Sequence, residues 1–101
     1  MQFLSISQRR EGFGEARYAE LAEPEMERAR ELYTEGLVRQ IWHRADMPGA
    51  CLVWEADNEE QVREVWSSFQ FARAGMIEMV LIPLKPYRGF RPTESQKIKS
   101  E

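Results

Sequence analysis

A chain of 101 residues suffices for one domain and one hydrophobic core, but a domain this small leaves much of its surface uncovered and often gains stability by oligomerising. Apolar residues make up 43% and charged residues 31%, as in an ordinary folded protein. The net charge of −3 argues against a nucleic-acid or membrane-surface binder, which needs a concentrated basic patch.

Phe3 to Ser7 alternates weakly and reads as a first strand, broken by Gly12 and Gly14. Glu15 to Ala22 predicts a short helix. Pro24 then suits the first turn of a main helix, where its missing N–H costs nothing, with Glu23, Glu25 and Glu27 at the positive end of the dipole. Met26, Ala29, Leu32 and Tyr33 share one face, and Gly36 is the natural stop. Leu37–Arg44 predicts a strand, Asp46-Met47-Pro48-Gly49 a turn, and Ala50–Ala56 the returning strand of an antiparallel hairpin. Asn58 is placed to cap a second helix, with Gln61 in the capping-box position and Val62, Val65, Trp66 and Phe69 as its apolar stripe. After Gly75, Met76–Leu84 predicts a last strand, ended by Pro83 and Pro86. Residues 1–90 read as one domain and 91–101 as a polar, locally basic C-terminal tail.

The order β-α-β-β-α-β defines an α+β fold of the ferredoxin-like type, a four-stranded antiparallel sheet with both helices on one face. The strands nevertheless carry large apolar residues on both faces. Leu52 and Trp54 oppose Cys51 and Val53, and Met79 and Leu81 oppose Val80 and Ile82. A sheet with two apolar faces and helices on one needs another cover, and a second copy of the chain is the simplest, so a homodimer or larger homo-oligomer is expected.

Leu32-Tyr33-Thr34-Glu35-Gly36-Leu37-Val38-Arg39-Gln40-Ile41-Trp42 ends a helix at Gly36 and starts a strand carrying Arg39 and Trp42. With Pro48-Gly49-Ala50, Glu55 and Pro83-Leu84-Lys85-Pro86-Tyr87, this run resembles the dimeric α/β barrel superfamily, and within it the muconolactone isomerase-like proteins. The resemblance implies two sheets meeting face to face, helices outside, and activities that range from lactone isomerisation to metal-free oxidation of aromatic polyketides. Where such isomerases carry a histidine after the tryptophan, this chain has Asp46-Met47-Pro48-Gly49, and its only histidine, His43, comes earlier.

His43 is the natural candidate for a general base moving a proton on a small unsaturated substrate; the alternative is a half-exposed histidine at a strand end. If residue 44 pairs with residue 50, Arg39 lies across from Glu55 on the face that also holds His43. Arg39 would then anchor a substrate carboxylate, with Glu55 as acid or base; the alternative is a cross-strand ion pair at the subunit interface. Trp42, Trp54 and Tyr33 are candidates to line a pocket for a flat ligand, the alternative being core filling. With one cysteine, Cys51, no intrachain disulfide or single-chain Cys-built metal site can form, and the sequence shows no metal-ligand cluster or phosphate-binding glycine loop, so neither metal nor cofactor is expected. The lone thiol also fits a cytoplasmic protein. The N-terminal apolar stretch is too short for a signal peptide, and no segment has the length of a membrane span. These readings converge on a small-molecule protein, either a cofactor-free isomerase-like enzyme working by proton transfer or a non-catalytic ligand-binding or self-assembling protein.

Overall fold

The computed structural model describes residues 1–90. Strand β1 (Gln2–Arg9) is followed by helix α1 (Glu15–Glu35), the hairpin β2 (Val38–His43) and β3 (Ala50–Glu55), helices α2 (Glu59–Trp66) and α3 (Gln70–Arg73), and strand β4 (Ile77–Pro83). A single 3₁₀ turn, Arg88–Phe90, closes the described chain, and the predicted tail, 91–101, lies outside the described residues. The four strands form one antiparallel sheet in the order β2-β3-β1-β4, the ferredoxin-like arrangement expected. No helix among the described residues is long and apolar enough to cross a membrane.

The main helix differs from the sequence expectation. It runs unbroken from Glu15 to Glu35 with Pro24 inside it, where a proline removes one backbone bond. Glu20, whose carbonyl loses that partner, is exposed, so water can replace it. The stop at Gly36 is as read. Gly36 has φ +82°; its N–H bonds the Tyr33 carbonyl, and the Leu37 N–H bonds the Leu32 carbonyl, a Schellman motif. Asn58 caps α2 by accepting from the Gln61 N–H at 2.8 Å, while the Gln61 side chain accepts from Asp57 instead of closing the box on Asn58. The helix then ends at Trp66, because Ser67 and Ser68 turn their hydroxyls onto the Glu64 and Val65 carbonyls. Extended Phe69 begins the one-turn α3.

Both helical layers cover the same sheet face. Leu32 of α1, Val62 of α2 and Phe69 pack on Phe3, Val38, Leu52 and Trp54. Trp54 is fully buried, and its indole N–H donates to Ser5 Oγ at 2.9 Å, so the polar atoms of two core residues satisfy each other. The register places Leu4, Ile6, Trp42, Cys51, Val80 and Ile82 on the opposite face, which no helix among the described residues covers; Trp42 is 53% and Val80 62% exposed.

The hairpin register is also not the one expected. His43 pairs with Ala50 and Trp42 with Cys51, one residue away from the alignment that would pair 44 with 50. The loop closes instead between the Arg44 N–H and the Gly49 carbonyl. Only glycine fits there: a Cβ at position 49 would lie 2.1 Å from the Ser7 carbonyl oxygen. A β-bulge at Arg39 then shifts the pairing between Val38 and Gln40. Val38 and Ile41 are three residues apart and would otherwise face opposite ways, yet Val38 is in the core and Ile41 pairs with core residue Leu52. The bulge reconciles the two.

Candidate functional site

Between the helix-facing side of the sheet and the helices lies a cavity of about 300 Å³, at the lower end of the range of small-molecule pockets. The sequence leaves this space open by placing small residues where large ones would close it. Ser7 of β1, Ala50 of β3, Gly49 and Ala29 of α1 all line it. Its apolar walls come from Met26 of α1, from Ile41, Leu52 and Ile77 of the sheet, and from Trp66, Phe69 and Phe71 at the α2–α3 break. That break therefore has a purpose in the architecture: it turns two aromatic rings, Phe69 and Phe71, toward the cavity on either side of Gln70.

Five of the side chains that line the cavity and carry polar atoms are already engaged with other protein groups. The Ser7 hydroxyl accepts from the Ala50 N–H at 3.1 Å and faces the Ala50 carbonyl at 3.3 Å. Tyr18 is buried and donates to the Met76 carbonyl at 2.7 Å. Arg9 stacks on the Tyr18 ring, Cζ 3.9 Å from its centroid, and pairs with Glu15. Arg44 grips Asp46 with two bonds, Nε to Oδ1 at 3.0 Å and Nη2 to Oδ2 at 2.7 Å, while Nη1 donates to the Ser7 carbonyl at 3.3 Å. This grip holds the Asp46 carboxyl below its ordinary range.

Glu25 is the fifth. It projects from α1, and one carboxylate oxygen accepts from the Phe71 N–H at 3.2 Å. Burial pushes its carboxyl above the ordinary value, and the Phe71 and Gln70 amides offset part of that rise. His43, at the end of β2, also lines the cavity, and no side-chain hydrogen bond engages it among the described residues. Glu25, half-buried on α1, and His43, exposed at the end of β2, line the same cavity. Among the described residues, no group of three or more His, Cys, Asp or Glu side chains is placed to hold a metal ion.

Of the six residues singled out from sequence, His43 lines this cavity and the other five do not. Arg39 sits in the bulge, not opposite Glu55. Glu55 bonds the Met1 ammonium at 2.7 Å, and its own N–H reaches the Leu37 carbonyl. The shifted register thus dissolves the predicted Arg39–His43–Glu55 group. Trp42 lies on the uncovered sheet face, Trp54 is sealed in the core, and Tyr33 is 63% exposed on α1. Glu25 was the residue that sequence reasoning missed. A signal existed in its place one turn before Ala29 on the apolar face of α1, where a carboxylate is out of pattern.

The chain has the fold of the dimeric α/β barrel proteins, in the form seen in muconolactone isomerase-like structures. The crystal structure of muconolactone isomerase superposes with a TM-score of 0.73 at 18% identity, over 93% of this chain and 98% of that one. A 5-chloro-2-hydroxyhydroquinone dehydrochlorinase from Burkholderia phenoliruptrix AC1100, solved with 2,5-dihydroxybenzoquinone, gives 0.72 at 17% identity over 88% and 98%. No protein-family model and no curated protein matches the sequence.

Proposed function

We propose that this protein is a small-molecule enzyme of the cofactor-free isomerase type, moving a proton on an unsaturated or aromatic compound held between sheet and helices. The observation that carries this reading is that Glu25 and His43 line one apolar cavity of ligand size. In the proposed step, neutral His43 takes a proton from a carbon activated by a neighbouring carbonyl. Protonated Glu25 delivers a proton to the far carbon of the conjugated system, and the double bond moves with it. The substrate gains and loses one proton, and the imidazolium and carboxylate left behind reset through solvent. The names of the two similar structures, an isomerase and a dehydrochlorinase, support a small-molecule reaction on this fold.

The uncovered apolar face supports a second element of the proposal: two copies meet through their sheets and form a homodimer or a larger ring. The single cysteine supports a cytoplasmic location. Should the pair not turn over any compound, the same cavity serves a ligand-binding protein that assembles in the same way. The test is to incubate unsaturated lactones, phenols and quinones with the protein in D₂O and follow carbon-bound deuterium by NMR. His43→Ala and Glu25→Gln should each slow incorporation at least about tenfold. Incorporation at wild-type rates in both variants would refute the proposed chemistry.

A further inference from the structure

The charges around the cavity restrict what it can hold. Apart from His43, Arg9 and Arg44 are the cationic side chains that line it among the described residues, and each already has a carboxylate partner on the protein. Arg44 is held most firmly. Its side chain is only 17% exposed, two of its nitrogens face Asp46, and a third faces the Ser7 carbonyl. Arg9 is fixed from one side by Glu15 and from the other by the Tyr18 ring. A ligand carboxylate would have to displace Asp46 or Glu15, exchanging one ion pair for another while giving up its own hydration. It would also approach the Glu25 carboxyl, which would disfavour it whenever that group is ionised. The walls are aromatic and aliphatic, with Trp66, Phe69 and Phe71 among them. Such walls reward flat apolar area and offer nothing to an anion.

We propose that the cavity takes an uncharged, flat, oxygenated ring compound, such as a phenol, quinone or lactone without a carboxylate, and discriminates against its anionic counterpart. Glu25 and His43 then face the reacting carbons of the ring, while the paired arginines complete the wall without binding charge. This inference rests on the reading of the cavity as the ligand site.

Two matched probes test it. 2-Naphthol and 2-naphthoate share one ring system, and near neutral pH the first is uncharged and the second is an anion. Calorimetric titration of the wild-type protein should show 2-naphthol binding at least about tenfold more tightly. Asp46→Asn keeps the shape of the Arg44 partner and removes its charge, and Glu15→Gln does the same for Arg9. If the inference holds, at least one of these variants narrows the preference about threefold or more, by admitting the anion. Naphthoate bound by the wild type as tightly as naphthol overturns the inference and leaves the ligand site standing. A naphthol preference unchanged in both variants overturns the role given to the paired arginines. If neither probe binds up to its solubility limit, the ligand-site reading fails, and this inference with it.

Discussion

Replacing Ala29 by leucine tests whether the cavity is empty space kept for a ligand. Ala29 is half-buried in the middle of α1, packs against the main core and lines the cavity. The substitution adds three carbon atoms to a space of about 300 Å³, so they can enter without displacing a neighbour. At about 0.8 kcal/mol per buried methylene the gain is at most about 2.4 kcal/mol. Ordering the leucine side chain takes back about 0.5–1 kcal/mol, and helix propensity is nearly unchanged. The expected net gain is about 1–2 kcal/mol. For a domain of this size each kcal/mol raises Tm by about 4–8 °C, easily read by calorimetry. The same variant should lose ligand binding, since the side chain occupies the ligand's place. A stabilised but non-binding protein is the signature of a site preserved at the expense of stability. A loss of 1 kcal/mol or more would instead mean that the space is already filled, as in ordinary overpacking, and would refute the cavity. Stabilisation with unchanged binding would move the ligand site elsewhere.

Three further outcomes are expected. Gly36→Val should destabilise by more than about 1 kcal/mol; because a Cβ there meets no atom of the described residues within 4 Å, the cost lies in the left-handed backbone, and Gly36→Asn should recover much of it. Because burial raises the Glu25 carboxyl above its ordinary 4.5, the folded state binds this proton more readily than the unfolded state. The group's contribution to stability therefore falls as pH rises from that value through the folded one. Glu25→Gln should gain on the wild type in denaturant melts between acid and neutral pH; a gain in the opposite direction would contradict the assignment. The wild type should sediment as a dimer or larger at micromolar concentration, and Val80→Asp on the uncovered face should shift it toward a single chain; a wild type that sediments as a single chain would defeat the assembly proposed here.

The Gly36 stop, the Asn58 cap and the strand order were legible because each is written locally. Gly36 and Asn58 act through their own backbone and side chain, and the hairpin follows from one short loop. What was not legible depends on contacts between distant segments. The register of β2 against β3 is set by how closely Gly49 approaches Ser7, 42 positions away in the chain, and by a bulge that serves two core residues at once. A shift of one residue was enough to turn Trp42 to the uncovered face and to part His43 from Glu55, whose side is fixed by its place beside core residue Trp54 in β3. Pro24 misled for a related reason: its cost falls on the carbonyl of Glu20, an exposed residue, which only the folded helix reveals. Glu25 acquires its raised carboxyl from burial in the folded chain, which the Phe71 and Gln70 amides of another helix only partly offset.

The position of β1 has a consequence for how the protein is made. This strand lies between β3 and β4, so a central strand is made before either of the strands that flank it. From Arg9 to its partner Ile77 a ribosome adding about 5–20 residues per second needs roughly 3–14 s. During that interval the β2–β3 hairpin can close on itself and offer β3 to β1, but one edge of β1 stays open. The sequence Phe3-Leu4-Ser5-Ile6-Ser7 must therefore wait without sticking to its neighbours. The serines that later partner Trp54 and floor the cavity also make the waiting strand less adhesive than an unbroken apolar run would be. Enlarging Ser5 or Ser7 to valine would burden the nascent chain before it ever altered the finished fold.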